Sequence, residues 1–370
     1  MSDRACIFLI VGSDFFYKHH LRPLHAFLEN EGFEVRGIIL SSSFGILKNN
    51  ETSNLWVSDG TRKFVGFSDL RLLFRVFFAV RSYKKVVVHS FMSKSLLFHG
   101  ALMLLTWLDR SRSDLKCMHT FTGQGWRYLK PKVFRAALIH LELLVATALD
   151  KSFVDSSGQA VFLRRVARIF RDDFLEPQMI SNGSLLGFEN VPVHLKSRNK
   201  FRIGFVGRLC RDKGFHVFLE IARRFRERDD VEFVAIGPLD GKNFQEDSFL
   251  DIEWMGHLAD QNQIWGSLDL LIFPSMREGF GNVIAEAASR GIPVIGCKIY
   301  GTRDILKNFV TGMRIENSVE SFVYWVERFI SDPLLYSTVQ KKGRDYVQRE
   351  FSGKKIQVGY RRIYKELLKC

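Results

Sequence analysis

The stretch Phe273-Pro-Ser-Met-Arg-Glu-Gly-Phe-Gly-Asn-Val-Ile-Ala-Glu-Ala287 predicts the end of a buried strand, a glycine turn and a helix. The run that leads into it, Asp269-Leu-Leu-Ile-Phe273, is short and apolar, as is typical of a strand buried in a parallel sheet. Gly281 allows a tight turn, and Asn282 is predicted to be the N-cap of a helix that continues through Ala288. The stretch therefore predicts one strand-turn-helix unit of an α/β fold.

The turn before this helix has the features of an anion site. The first amides of a helix have no intrahelical partner and lie at the positive end of the helix dipole. The amides that could hold a diphosphate here are those of Phe280, Gly281, Asn282 and Val283. Glu278 and Glu286 flank the turn and would repel a phosphate, so we expect them to face sugar and ribose hydroxyls. A purely structural interpretation stays open, because a glutamate in a first helical turn often only partners the dipole.

The rest of the chain repeats this alternation of strands and helices. The predicted strands cover residues 6–11, 34–40, 85–88, 116–121 and 151–154 in the first half, and 203–206, 233–236, 270–273 and 293–295 in the second. Parallel strands need crossover helices, so the pattern predicts two similar α/β domains. The predicted organisation is a first domain over 1–185, a linker over 186–200, a second domain over 201–340 and a C-terminal helical segment over 341–370.

Several polar residues follow the predicted strands of the first domain. Ligands of parallel sheets bind at the carboxyl ends of the strands, so polar residues there are candidates for ligand contact. These candidates are Ser13, Asp14, His19, His20, His89, His119 and Thr122. A histidine at a strand end is more often a hydrogen-bonded structural residue, and His119 and Thr122 stay undecided between ligand contact and packing.

The first strand of the second domain ends in Gly207-Arg-Leu-Cys-Arg-Asp-Lys-Gly214. Arg208 and Lys213 therefore lie in a strand-to-helix loop, one strand away from the amide-rich helix start. Their cationic groups could bind a diphosphate and stabilise the charge that develops as it leaves a sugar. Either residue alone would be ordinary surface charge, whereas the two together favour phosphate binding.

The chain is 370 residues long, which is enough for two domains with cores of their own. Its net charge of +14 predicts an acidic partner: nucleic acid, anionic lipid or a phosphorylated substrate. Arg71, Arg75 and Arg81 alternate with large apolar residues, as in a helix that lies on a membrane surface. A core helix with a basic edge would show the same pattern. We expect no nucleic-acid partner, because the basic residues form no recognisable binding module.

No apolar run reaches the ~18 residues that a membrane span needs. The N-terminus leads directly into a strand without a signal-peptide pattern. The five cysteines are scattered, with no Cys-x-x-Cys pair and no paired framework. These features predict a cytoplasmic protein, held peripherally at the inner face of the membrane by its basic first domain.

Together these motifs resemble the retaining, nucleotide-sugar-dependent glycosyltransferases of family 4, which have the GT-B fold of two Rossmann-like domains facing across a cleft. The motifs of the second half are Gly207-Arg208, Lys213-Gly214, the pair Glu278 and Glu286 eight residues apart, and Gly291-Ile-Pro-Val294. The chain is also similar to the subgroup that extends lipid-linked capsular, O-antigen or N-glycan precursors. That likeness rests on Ser13-Asp-Phe-Phe-Tyr-Lys-His-His-Leu, Asn182-Gly-Ser-Leu, Ile299-Tyr-Gly-Thr-Arg-Asp304 and Val310-Thr-Gly312.

The resemblance implies a role for each candidate residue. Arg208 and Lys213 would bind the diphosphate, Glu286 the ribose hydroxyls and Glu278 the donor sugar. Gly207 and the amides of the turn would complete the donor site, and the polar strand ends of the first domain would face the acceptor. The resemblance implies no cofactor and no metal, because the nucleotide sugar is a substrate, and the last helix would cross back onto the first domain.

The predicted activity is retaining transfer of a hexose or N-acetylhexosamine from a UDP-sugar to a lipid-linked saccharide in the synthesis of cell-surface polysaccharide or glycan precursors. The expected acceptor is a polyprenyl-diphosphate-linked sugar or another glycolipid. Two alternatives stay open: a nucleotide-sugar epimerase of similar shape, which would act without an acceptor, and a basic nucleic-acid-binding protein, which would explain the charge.

Overall fold

The chain folds into two compact units in the computed structural model. The structure describes residues 5–41, 54–58, 66–109, 114–122, 132–170, 178–179, 188, 191–192, 200–240, 244 and 249–369. The first unit comprises Met1–Asp155, Gln159–Leu186 and Gly353–Cys370, and the second comprises Ser156–Gly158 and Gly187–Ser352.

The first unit is built on a parallel sheet with the strand order β3-β2-β1-β4-β5-β6-β7. Its described strands are β1 (Cys6–Val11), β2 (Glu34–Ile39), β3 (Leu55–Val57), β4 (Val86–Phe91), β5 (Leu115–Phe121), β6 (Lys151–Val154) and β7 (Gln178–Met179). Every residue of β1 and β4 is buried, because helices cover both faces of the sheet. β4 extends past the predicted end at Val88, so His89 lies inside the strand rather than after it.

The second unit is built on a parallel sheet with the strand order β10-β9-β8-β11-β12-β13. Its described strands are β8 (Phe201–Val206), β9 (Val231–Ile236), β10 (Glu253–Trp254), β11 (Leu270–Phe273), β12 (Val294–Cys297) and β13 (Gly312–Ile315). The four strands predicted here are present, and the short strands at the two edges were not predicted. Part of the predicted linker is packed rather than extended, since Phe188 is buried in the core of this unit.

The helices supply the crossovers between the parallel strands. They are α1 (Asp14–Phe16), α2 (Arg22–Asn30), α3 (Phe67–Arg81), α4 (Ser93–Asp109), α5 (Lys132–Thr147), α6 (Ser157–Phe170), α7 (Phe215–Arg224), α8 (Gln261–Gly266), α9 (Asn282–Ser289), α10 (Val319–Ser331), α11 (Pro333–Glu350) and α12 (Gly353–Leu368). A π-helical turn over Tyr17–Leu21 joins α1 to α2. None of the described helices combines the length and the apolar character that crossing a bilayer requires.

The C-terminal helix α12 packs against the sheet of the first unit. Its buried apolar stripe consists of Ile356, Tyr360, Tyr364, Leu367 and Leu368. The Tyr364 hydroxyl lies 2.7 Å from Nδ1 of His89 in β4. The predicted C-terminal helical segment 341–370 consists of two helices: residues up to Glu350 belong to α11, which packs against α9, and the first unit resumes at Gly353.

Candidate active site

The loop between β8 and α7 carries Arg208 and Lys213 and approaches the turn between β11 and α9. A 3₁₀ turn over Arg211–Lys213 leads into Gly214, whose φ of +76° is left-handed. A Cβ atom at Gly214 would come within 2.1 Å of the Pro274 carbonyl oxygen. The position therefore needs glycine for both its conformation and its space, and this close approach brings Lys213 beside the β11–α9 turn.

Lys213 and Glu278 form an ion pair across these two loops. Lys213 Nζ lies 2.6 Å from Glu278 Oε1, and both side chains are mostly buried, with 24% and 16% of their surface exposed. The Ser275 hydroxyl lies 2.9 Å from the same carboxylate oxygen. A carboxylate held by a cation and a hydroxyl has a defined orientation, so both charged groups are placed before any ligand binds.

A second set of contacts joins the same two loops. Arg277 Nε donates to Asp212 Oδ2 at 2.7 Å, and the Met276 amide donates to the Asp212 carbonyl oxygen at 3.2 Å. The Tyr300–Asp304 turn closes on the other side, where a Cβ at Gly301 would come within 2.0 Å of the Glu278 carbonyl oxygen. The backbone around Glu278 is therefore held by both neighbouring loops.

Helix α9 begins at Asn282, and its N-cap is Gly281 with a left-handed φ of +95°. The prediction of Asn282 as the N-cap is wrong by one residue. Only a glycine enters the helix easily with this backbone conformation, whereas asparagine caps from the extended region. Phe280 is buried and packs against Phe351, with ring centroids 5.1 Å apart, so its side chain anchors the turn and only its amide faces the helix start.

Glu286 lies one turn inside α9, where it is half-buried beside Arg290 and Trp265. Burial raises the pKa of Glu286 to about 7, although Arg290 and a hydrogen bond with Trp265 oppose the shift. Arg290 sits one turn further along, with its guanidinium 5.9 Å from the Trp265 ring. The carboxyl group therefore exchanges its proton near neutral pH, and a ligand that donates hydrogen bonds to it would favour the ionised form.

Arg208 follows Gly207 at the end of β8 and forms an ion pair with Asp240 in the loop after β9. Both side chains are about half exposed. Pairs of this kind contribute little stability, because water competes for both charges. A diphosphate could therefore replace Asp240 as the partner of Arg208 at small cost.

Two of the candidates in the first unit have structural roles at the start of α1. Ser13 is buried, and its hydroxyl oxygen accepts the Phe16 amide at 3.3 Å as the N-cap. Asp14 is also buried, and its Oδ1 accepts the Phe15 amide at 2.9 Å. Thr122 is half-buried directly after β5, and residues 123–131, which follow it, lie outside the described residues.

His19 and His20 lie in the π-helical turn. His19 is exposed and stacks on Phe15, with ring centroids 4.4 Å apart. His20 stacks on Phe16, and burial, with the neighbouring His19 second, lowers its pKa to about 4. Of the histidine candidates, His19 is thus the accessible one, and its acceptor-side role stays a prediction.

His89 and His119 are fully buried inside β4 and β5, so neither ring is exposed in this structure, and their acceptor-side role stays a prediction. His89 uses both ring nitrogens, with Tyr364 at 2.7 Å and the Thr120 hydroxyl at 2.8 Å. His119 Nδ1 lies 2.8 Å from the Ser90 hydroxyl. Burial lowers the pKa of both histidines well below 6.5, so they are neutral groups in the core.

A family described as Glycosyl transferases group 1 matches residues 200–332, the stretch that contains the whole donor-side cluster from Gly207 to Glu286. The capsular polysaccharide biosynthesis glycosyltransferase CapM of Staphylococcus aureus is 24% identical over 361 residues, which cover 93% of this chain and 92% of CapM. The chain is a glycosyltransferase.

This glycosyltransferase is also similar to a second enzyme and to a solved structure. The UDP-Gal:alpha-D-GlcNAc-diphosphoundecaprenol alpha-1,3-galactosyltransferase of Escherichia coli is 32% identical over 168 residues, which cover 42% of this chain and 43% of that enzyme. The crystal structure of Anabaena HepE in complex with UDP and glucose superimposes with a TM-score of 0.76 at 15% identity, covering 97% of this chain and 99% of HepE. The likeness confirms the predicted GT-B fold.

The structure adds residues to the glycosyltransferase site that sequence reasoning missed. Ser275 holds the Glu278 carboxylate within its own loop, the pair of Asp212 with Arg277 joins the two loops, and Asp240 engages Arg208. All four lie within seven residues of a predicted strand end, and this position is the feature of the sequence that could have indicated them. Nothing in their spacing showed which of them would pair.

Proposed function

We propose that the protein is a retaining glycosyltransferase that moves a hexose or N-acetylhexosamine from a UDP-sugar to a lipid-linked saccharide in polysaccharide or glycan precursor synthesis. The observation that carries the proposal is the ion pair of Lys213 with Glu278 beside the N-terminus of α9. It combines a cation for a leaving diphosphate, a carboxylate for sugar hydroxyls and a helix start for phosphate oxygens within two adjoining loops.

The charges of the site fit a diphosphate on one side and hydroxyls on the other. Arg208 and Lys213 would neutralise the diphosphate together with the amides of Phe280, Gly281, Asn282 and Val283. Glu286 would accept hydrogen bonds from the ribose hydroxyls, and Glu278 from the donor sugar. The pairing of Lys213 with Glu278 supports this division, because it holds a cation and a carboxylate side by side as a phosphorylated sugar requires.

The proposed reaction is attack by an acceptor hydroxyl on the face of the sugar that the diphosphate leaves. The bond from the anomeric carbon to the phosphate oxygen breaks as the bond to the acceptor oxygen forms. The acceptor proton passes to the leaving diphosphate, whose developing charge Arg208 and Lys213 would stabilise. Glu278 would orient the sugar without forming a bond to it.

The names of the relatives support the proposed donor and acceptor classes. The Escherichia coli relative is named for UDP-Gal and a diphosphoundecaprenol-linked GlcNAc, and HepE was solved with UDP and glucose. CapM is named for capsular polysaccharide biosynthesis. These names support a UDP-sugar donor and a polyprenyl-diphosphate-linked acceptor for the present protein.

The decisive experiment incubates the purified protein with UDP-glucose, UDP-galactose and UDP-N-acetylglucosamine, each with and without a polyprenyl-diphosphate-linked saccharide. Mass spectrometry of the glycolipid measures transfer, and NMR of the new linkage measures retention of the anomeric configuration. We expect the glycolipid to gain one sugar from one of these donors, and UDP release to depend on the acceptor. Isomerised nucleotide sugar without acceptor would instead support an epimerase, and an inverted linkage would contradict the retaining mechanism.

The acceptor proposal also needs a surface that meets the membrane, and the first unit offers one on α3, α4 and α5. These helices are neighbours, α3 beside α4 and α4 beside α5. Large apolar side chains are exposed on all three: Phe67, Leu70, Phe74, Phe78, Leu104, Trp107, Leu108, Val133, Phe134, Leu141 and Leu144. Phe67 is 93% exposed and Trp107 is 72% exposed, which is unusual for a surface that faces only water.

Basic residues accompany these apolar side chains. Arg71 and Arg75 are exposed on α3 and Lys132 on α5, while the opposite side of α3 packs into the core through Leu72, Val76 and other apolar residues. Helix α3 therefore has one side in the core and an exposed side that is apolar and basic. We propose that this apolar basic surface binds an anionic membrane, where apolar burial and charge attraction add.

Sedimentation with vesicles tests this surface. Phe78→Glu combined with Trp107→Glu is expected to lower binding to phosphatidylglycerol-containing vesicles strongly. The double variant loses two apolar side chains, and binding would have to bring two carboxylates into the membrane surface. The matched control is Leu334→Glu in the second unit, where an exposed leucine is replaced in the same way. Equal sedimentation of the two proteins would overturn the membrane assignment.

A further inference from the structure

A basic cavity lies in the second unit on the side of the Tyr300–Asp304 turn away from the donor loops. Its volume is about 760 Å³, which is within the range of small-ligand sites. It is lined by Ser157, Lys298, Arg303, Asp304, Leu306, Lys307, Asn308 and Arg314. None of these residues belongs to the proposed donor site.

The lining of the basic cavity carries four cations and one carboxylate. The carboxylate, Asp304, is already engaged, because its Oδ2 accepts the Ser157 amide at 2.6 Å and its Oδ1 the Ser157 hydroxyl. Lys298 has an exposed partner in Glu316 at 3.1 Å. The excess positive charge therefore falls on Arg303, Lys307 and Arg314.

Among the described residues, Arg303 and Arg314 have guanidinium donors that make no hydrogen bond to protein, because Arg303 is exposed to water and the Nε atom of Arg314 is buried without an acceptor. Arg314 Nη2 donates to the Ile299 carbonyl oxygen at 3.3 Å, which anchors the side chain at the cavity wall. Burial, and then the like charge of Arg303, lower the pKa of Arg314.

Like charges brought together without a counterion destabilise a fold, and a bound anion removes that cost. Glu316 and Asp304 offset part of the charge of Arg314, but Glu316 is paired with Lys298 and, with Glu320, lines a neighbouring cavity of about 480 Å³ on the other side of Lys298 and Arg314. Lys307 adds a third cation, held with its Nζ atom 4.9 Å from the centre of the Tyr346 ring. Two guanidinium groups and an ammonium group around one cavity are the donor types that bind phosphate oxygens.

We propose that the basic cavity binds a phosphate-bearing anion, with Arg303, Lys307 and Arg314 as its ligands. The anion is a phosphate or diphosphate group, either free in solution or as the headgroup of a lipid. Its site is separate from the donor site but shares a wall with it, because the Tyr300–Asp304 turn carries Arg303 on one side and packs against the Glu278 backbone on the other. The proposal concerns binding and does not rest on the identity of the transferred sugar.

Calorimetric titration with inorganic pyrophosphate tests the site. The protein carries Arg208→Ala and Lys213→Ala, so that pyrophosphate at the proposed donor site contributes little. Adding Arg303→Gln and Lys307→Gln is expected to weaken binding roughly tenfold or more, because two charge-assisted contacts are lost. Both residues are exposed, so we expect the fold to survive, and the single Arg303→Gln protein serves if the double variant unfolds.

The matched control is Arg223→Gln with Arg226→Gln, which removes two exposed cations elsewhere in the same unit. An equal loss in this control would show that net charge alone attracts pyrophosphate, and unchanged binding in the cavity variant would likewise overturn the proposal. A second arm measures sedimentation with phosphatidylcholine vesicles that contain phosphatidic acid. Loss of pyrophosphate and vesicle binding in the cavity variant but not in the control supports a lipid headgroup, whereas loss of pyrophosphate binding alone supports a free anion.

Discussion

The polar residues near the carboxyl ends of the strands have different environments in the two units. In the first unit, His89 and His119 lie inside β4 and β5 and are fully buried. In the second unit, Lys213 and Glu278 lie beyond the strand ends, where glycine-containing loops carry them out of the sheet and into contact. The carboxyl-terminal edge of the sheet thus carries core histidines in one unit and a charged pair in the other.

The comparison indicates that a residue's distance past the end of its strand decides whether it lies in the core or in a loop, and that this distance matters more than the residue type. A residue within a parallel strand is enclosed by helices on both sheet faces, so its polar atoms must find partners in the core. A residue in the following loop escapes this enclosure, and it can meet a neighbouring loop if glycine permits a close approach. Four changes test this contrast.

Lys213→Ala is expected to have the largest effect. It removes one cation from the proposed diphosphate site and leaves the Glu278 carboxylate without its ion-pair partner, so kcat should fall about a hundredfold or more. UDP release in the presence of acceptor measures it. Arg223→Ala, which removes an exposed cation from α7, is the control, and equal rates in the two proteins would contradict the role of Lys213.

His89→Ala is expected to act on stability instead. The hydroxyls of Tyr364 and Thr120 would lose their shared partner inside the core, and a cavity would remain, so the free energy of unfolding should fall by about 3 kcal/mol. Urea unfolding measures the loss. The exposed His19, changed in the same way, should alter stability by less than about 0.5 kcal/mol. Lost transfer by folded His89→Ala protein, with unchanged stability, would support His89 as a site residue.

The pH dependence of donor binding tests Glu286. Burial raises its pKa to about 7, so the carboxyl group is mostly protonated below that pH and mostly ionised above it. The ionised form accepts the proposed ribose hydrogen bonds, so binding should strengthen as the pH rises through 7. We expect the Kd of a UDP-sugar to increase roughly tenfold as the pH falls from about 8 to about 6. Calorimetry measures it, and Glu286→Gln should give a flat profile; an equally steep profile in that variant would exclude Glu286 as the titrating group.

Asp240→Asn is expected to have the smallest effect. The ion pair with Arg208 is half exposed, so its loss should change the free energy of unfolding by less than about 1 kcal/mol. Because Arg208 loses a competing anion, donor affinity should stay equal or rise slightly. Thermal unfolding and UDP-sugar titration measure the two quantities. A marked loss of affinity would instead mean that Asp240 positions Arg208 for the diphosphate.

Much of the fold was predictable, because apolar strands separated by helical segments leave few alternatives to a parallel sheet. The bounds of β1, β6 and β11 match those predicted, whereas the short edge strands β3, β7, β10 and β13 lack the apolar length that reveals a strand. The N-cap of α9 was missed by one residue. Sequence preferences favour Asn282, but the close packing of the turn demands the left-handed conformation that Gly281 supplies.

Sequence by itself determined the composition of the candidate donor site, since Arg208, Lys213 and Glu278 lie in loops that follow strands, and Glu286 lies in the helix after one of these loops, at the sheet edge to which an α/β topology brings them. Tertiary structure alone decided their pairing. Lys213 meets Glu278 because Gly214 lets one loop approach the carbonyl of Pro274, and this contact joins residues 65 positions apart. Tertiary structure alone also decided that His89 belongs to the core and that Arg303 and Arg314 share a cavity. Pairing and burial of this kind depend on which surfaces pack together, and the spacing of residues along the chain does not specify that packing.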